Sequence, residues 1–187
     1  MNDKMNDKLV FYSKSVDKKP GFGTFEEKNQ DDDYSELEKI KDWRIALDNV
    51  FSSDFIIDNN KWNSVEHFFH TLRMIKFPKN KIKIKNHEFY KTSLLGSDFY
   101  SSIIPSKLQK IAFLAKFTQN LHLKQILLCT NDAELWHYSG GTRRSDKGIV
   151  LVQDLMNVRN FIRKYDEVCD LATISQFSTD NIVKLIK

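Results

Sequence analysis

The sequence predicts a single α+β domain, predominantly helical, with a few short strands. Apolar residues recur at helical spacing in several stretches, most clearly Val65, Phe68, Phe69 and Leu72, and again Leu151, Leu155, Val158 and Ile162. Short apolar runs at 9–12 and 55–57 are bounded by polar and turn-forming residues, as strands of a small sheet are. A chain of 187 residues that is 41% hydrophobic and 12% aromatic can fill one core and is globular in composition.

In chain order, residues 1–8 are polar, nearly repeat MNDK, and are expected to form a flexible terminus. The 9–12 strand leads straight into Ser13, Lys14 and Ser15, and then into a turn set by Pro20, Gly21 and Gly23. Such a loop offers an ammonium, hydroxyls and backbone N–H groups to a phosphate, although Gly-x-Gly near a lysine is also frequent in plain turns. The acidic run at 31–33 reads as solvated. Residues 34–50 place Leu37, Ile40, Trp43 and Leu47 near helical spacing, so a helix is expected there. Asp58, Asn59 and Asn60 turn the second strand into a helix around 62–76. Five lysines lie between 76 and 85, and Ile82 and Ile84 alternate with three of them, which suggests an edge strand with a basic, solvated face. Residues 107–128 form the longest helical stretch, followed by a polar loop and a further helix over 149–165. Residues 166–187 are expected to be a helical tail outside the 9–165 domain.

Composition narrows the function classes. The 29 basic and 25 acidic residues leave a charge of +4, which permits an anionic ligand without demanding nucleic acid. Cys129 and Cys169 lack metal-ligand spacing and argue against a disulfide scaffold. No apolar run approaches membrane-spanning length, and the opening residues lack the apolar region of a signal peptide. A reducing cytoplasm, no membrane partner, no metal and no cofactor are the expectations.

The most informative stretch is KWNSVEHFFHTLRM, residues 61–74. Ser64 is placed to cap a helix. Glu66, His70 and Arg73 then fall at spacings of four and three, on one face of an otherwise apolar helix. An ordinary surface ion-pair network is one reading of that face. A functional constellation is the other, because charge beside a core must be paired or used.

The wording W-x-S-x-E-H, Trp62 to His67, followed by two aromatics, resembles the helix that opens the active site of the NADAR family. These are N-glycosidases acting on ADP-ribose conjugates and on a phosphoribosylated pyrimidine intermediate of riboflavin synthesis. Further stretches resemble the family in the same order. They are FYSKS with PGFG (11–23), WRIALDNVFSSDF (43–55, with Asn49 at the family asparagine), KFTQN (116–120), LLCTNDAEL (127–135) and DLMNVRNFI (154–162). The resemblance spans residues 9–165 and is nearest to forms carried by large DNA viruses, whose setting is the host cytoplasm. It departs at His70, where many members have Gln, at Arg73, where many have Lys, and in the late loop, which reads HYSGGTRRSDKG. A lysine at 73 could form a Schiff base with an opened ribose, whereas a guanidinium stays protonated and cannot.

The resemblance implies a NADAR-like fold and hydrolysis of the bond between (ADP-)ribose and a nucleobase, such as guanine. The partner would be an ADP-ribose or phosphoribosyl conjugate, with ADP-ribosylated nucleic acid among the candidates. Such cleavage passes through an oxocarbenium-like state that a carboxylate stabilises. Glu66 takes that role, His70 protonates the leaving base, and Arg73 completes the catalytic set. Trp62 offers an aromatic face, and Lys14, Arg73 and Arg143 hold phosphates. Gln119 and Asn120 fix ribose hydroxyls, and Tyr12, Ser13, Asn49, His67 and Lys116 complete the binding set. Lys14, Glu66, Arg73, Lys116 and Gln119 are expected to line one cleft. The alternative reading is a catalytically degenerate module that only binds ADP-ribose or a nucleotide.

Overall fold

The computed structural model describes residues 5–29, 31–76, 106–140 and 148–166, with the side chains of 72–76, 106–107 and 166 outside that description. Strand β1 (Lys8–Phe11) pairs in parallel with β4 (Glu134–Tyr138), and β4 pairs antiparallel with β5 (Ile149–Leu151). The sheet order is therefore β1-β4-β5, with β4 in the middle. Leu9 stands opposite Leu135, and Phe11 opposite His137. Leu9, Phe11 and Leu135 are buried, so this row is the core face, and His137 occupies its last position.

The outer edge of β1 is closed by the loop that follows it. Lys8 and Glu27 exchange backbone hydrogen bonds of 2.8 and 3.0 Å, and the Glu26 carboxylate accepts from the Val10 N–H. The expected flexible terminus at 1–8 is corrected at its inner end. Asp7 is buried, its carboxylate accepts from the Asn29 N–H and the Tyr34 hydroxyl, and its carbonyl accepts from the Glu134 N–H. A polar residue is held inside because each of these oxygens finds a donor.

The expected helix over 34–50 is two short ones, α1 (Ser35–Glu38) and α2 (Trp43–Leu47), broken at Asp42, whose φ of 58° is left-handed. The break has a packing reason. Leu37 and Trp43 are both buried, yet six residues apart on one continuous helix they would face different directions. Next, β2 (Phe55–Ile57) and β3 (Asn60–Trp62) form a hairpin on Asp58 and Asn59, both with positive φ. The turn was expected; the second strand was not, because Asn60-Lys61-Trp62 is largely exposed and carries no apolar alternation.

Helix α3 (Val65–Lys76) follows, and Ser64 caps it as expected, its hydroxyl accepting from the His67 N–H at 3.0 Å. The stretch expected as one long helix is α4 (Ser106–Gln119) and α5 (Leu121–Leu128), separated by an extended Asn120. Every residue from Ile111 to Phe117 is buried, which makes α4 the helix around which the others pack. The expected loop after α5 contains β4, and the expected helix over 149–165 is β5 followed by α6 (Gln153–Asp166). From α6, Arg159 donates to Thr130 Oγ1 at 2.9 Å and to the Ala133 carbonyl at 2.8 Å. The LMNVR and LLCTNDAEL stretches are thereby fastened to each other.

The architecture is a small α+β domain, with six helices and two small sheets among the described residues. The lysine-rich edge strand at 81–85 and the tail beyond 166 lie outside the described residues. Among those described, no helix is long and apolar enough to cross a membrane.

Candidate functional site

Three pieces of backbone meet at one end of the molecule. The first is the opening turn of α3. Its spacing brings His70 Nε2 to 2.8 Å from Glu66 Oε1, with the side chains only 12% and 16% exposed. Glu66 sits in the first helical turn, where a carboxylate is favoured by the helix dipole. Trp62 packs edge-on against His67 and Phe68, with ring centroids 5.4 and 5.1 Å apart. Its indole N–H is buried and has no hydrogen-bond partner among the described residues. Burial, and then the charge of His70, push the His67 imidazole below its ordinary value.

The second piece is the turn after α2. The Glu66 N–H donates to the Asn49 carbonyl at 3.0 Å, which ties this turn to the start of α3. Asp48, next to it, is buried. Its Oδ1 accepts from the Val50 N–H at 3.0 Å, and its Oδ2 lies 3.3 Å from His137 Nε2. Burial alone would raise the Asp48 carboxyl. The hydrogen bond and charge of His137, the Val50 N–H and the charge of Lys116 outweigh it and hold the group below its ordinary value.

The third piece is the carboxyl end of the parallel pair β1 and β4. His137 contacts the Phe11 ring at 5.4 Å between centroids, and Tyr12 meets Tyr138 edge-on at 5.2 Å. Ser13 and Lys14 follow and are exposed. Adjacent parallel strands release their chains on the same side, so Tyr12–Lys14 and His137–Tyr138 are neighbours by topology.

Other sequence-predicted residues serve the main chain. The anion in the Pro20–Gly23 turn is the protein's own. Glu26 Oε2 accepts from the Gly21 N–H at 3.0 Å and the Gly23 N–H at 2.8 Å, and Arg44 closes on the same carboxylate with two 2.7 Å bonds. A phosphate cradled by those N–H groups is therefore corrected to an internal carboxylate. Lys116 is fully buried and donates to the carbonyls of Ala46 at 2.8 Å and Asp48 at 2.7 Å, so it lines no cleft. Burial pushes its amine down to about 7, against the pull of Asp48. Gln119 clasps the backbone of Ile56 from both sides, donating to its carbonyl at 2.9 Å and accepting from its N–H at 2.7 Å. Asn120 donates to the carbonyls of Asp54 and Lys116. These three residues shape the wall behind the site, and the side chains of Gln119 and Asn120, expected at ribose hydroxyls, are engaged by backbone. Arg143 lies outside the described residues. Arg73 is on α3, with its side chain outside the description.

Sequence reasoning missed Asp48 and His137. The signal available was the alternation in ELWHY, which puts Leu135 and His137 on one strand face and so an imidazole in a core row.

The chain matches no protein-family model, no curated protein and no solved structure.

Proposed function

We propose that the protein is an N-glycosidase of the NADAR kind, hydrolysing the bond between (ADP-)ribose, or a phosphoribosyl group, and a nucleobase. The single observation that carries the reading is the Glu66–His70 pair, sheltered from water and fastened to Asn49 at the opening of α3. A half-buried carboxylate held by one neighbour is the group an oxocarbenium centre needs. The quoted motifs add support, because they pack on one another: the 46–56 segment on α4, and the 129–133 turn on α6. In this reading Glu66 stabilises the cation and accepts the proton of the attacking water. His70 holds Glu66, Trp62 and Tyr12 border the base and ribose, and Lys14, with Arg73 and Arg143, meets the phosphates. Lone thiols suit a reducing cytoplasm, that of a host for a viral chain.

The test is incubation with ADP-ribosylated guanine in DNA and with free base-linked ADP-ribose conjugates, following the released sugar by chromatography. Release by wild type, lost in Glu66→Gln, is the expected result. Wild type that binds ADP-ribose and releases none from any conjugate would overturn the enzyme reading in favour of the degenerate binding module. The arginine at 73 is what favours that second reading, since it cannot serve as a Schiff-base nucleophile.

A further inference from the structure

The Asp48–His137 pair stands outside every role assigned above. A carboxylate at neutral pH only accepts hydrogen bonds, so the ring nitrogen facing Asp48 carries the proton. That fixes the tautomer. Nδ1 is a lone pair in the neutral ring and an N–H in the imidazolium, and it has no hydrogen-bond partner among the described residues. Asp48's side chain is 5% exposed and His137's is 31% exposed. One nitrogen is anchored on a buried carboxylate while the side chain stays partly exposed, the arrangement by which a buried carboxylate orients a histidine for proton transfer. The location fits. Asp48 adjoins Asn49, whose carbonyl holds Glu66, and their Cα atoms are about 3.8 Å apart.

We propose that His137 is a catalytic acid of the glycosidase reaction, with Asp48 as its positioning residue; this rests on the N-glycosidase reading above. As the C1′–N bond breaks, its electron pair goes to the base nitrogen, which takes the proton from His137 Nδ1. The water oxygen bonds to C1′, Glu66 takes the water's proton, and exchange with solvent restores both groups. His70 is the weaker candidate for the acid, because its carboxylate partner is Glu66, which this reading assigns to the cation and the water, and its side chain is less exposed. The groups facing His137 are Asp48 from the turn after α2, Lys116 of α4 behind Asp48, and the uncharged Phe11 of β1 and Val150 of β5.

Two leaving groups test this. Guanine departs as an anion unless it is protonated, whereas a pyridinium base such as nicotinamide departs neutral and needs no proton. His137→Gln keeps a donor toward Asp48 and lacks a transferable proton near neutral pH. It should slow release of guanine about a hundredfold and change release of nicotinamide by less than about threefold. Asp48→Asn should give a smaller loss, again on guanine and not on nicotinamide. Equal slowing on both conjugates, or none on guanine, overturns the acid role and leaves the glycosidase reading standing. Wild type that releases neither base sinks the glycosidase reading itself. If His137→Gln does not fold, Asp48→Asn still decides, since its loss must appear with guanine and be absent with nicotinamide.

Discussion

Two sets of charged residues occupy the same interior and differ in what meets their polar atoms. In the scaffold set, Glu26, Arg44, Lys116 and Arg159 each bind main-chain atoms, and Arg44 also closes on the Glu26 carboxylate with a guanidinium that stays protonated. In the site set, Glu66 with His70 and Asp48 with His137 pair side chain with side chain, and each pair keeps one edge toward solvent. Burial alone does not separate the two sets. A charged group whose partners are main-chain atoms fixes where the chain runs. One whose partner is another titratable side chain keeps a proton that can move. KFTQN resembles a ligand-binding motif by its residue types and, by this criterion, belongs to the scaffold.

The comparison can be broken by substitution. Arg44→Met leaves the Glu26 carboxylate buried without its counter-charge and should destabilise the fold by about 3–5 kcal/mol, read by urea denaturation. A loss near zero would mean that the loop N–H groups alone satisfy Glu26. Lys116→Met abandons two buried carbonyls and should cost about 2 kcal/mol.

The same residue gives the pH dependence. Its folded value is about 7, below the ordinary 10.5, so the unfolded chain binds more protons between those values. This contribution to stability therefore rises as pH rises through that window and is flat below about 7. The gap between wild type and Lys116→Met should widen from pH 7 to pH 10; a constant gap would show an amine that stays charged. Gln119→Ala, losing its clasp on Ile56, should cost about 1 kcal/mol. Smallest in stability is Glu66→Gln, expected to leave Tm almost unchanged while hydrolysis falls about a hundredfold to ten-thousandfold. A large drop in Tm would move Glu66 into the scaffold set.

Local features of the fold were legible and distant pairings were not. Ser64 before Val65 announced the start of α3, and the four-residue spacing announced the Glu66–His70 contact, because both lie within one helical turn. The breaks at Asp42 and Asn120 were hidden, since the residues on either side keep helical spacing and the interruption is fixed by tertiary bonds, from the Asp42 N–H to the Asp17 carboxylate and from the Asn120 amide to the Asp54 carbonyl. Strand β4 was missed because its core row ends in a histidine. The Asp48–His137 contact joins positions with no local pattern between them. Glu26 was invisible for the opposite reason: a single acid in a turn gives no hint that three N–H groups and a guanidinium close on it.

The parallel pairing of β1 with β4 also sets an order of events during synthesis. Lys8–Phe11 leave the ribosome early, and their partner is made roughly 125 residues later. Until then the apolar strand has the 20–27 loop and α2 against it, but no partner strand from β4. The carboxyl end of the sheet, with Phe11 beside His137, comes into being only after α4 and α5 have been translated. A nascent chain halted before Glu134 would carry the Glu66–His70 pair but not the imidazole opposite Asp48, so the second carboxylate–imidazole pair forms only late in translation.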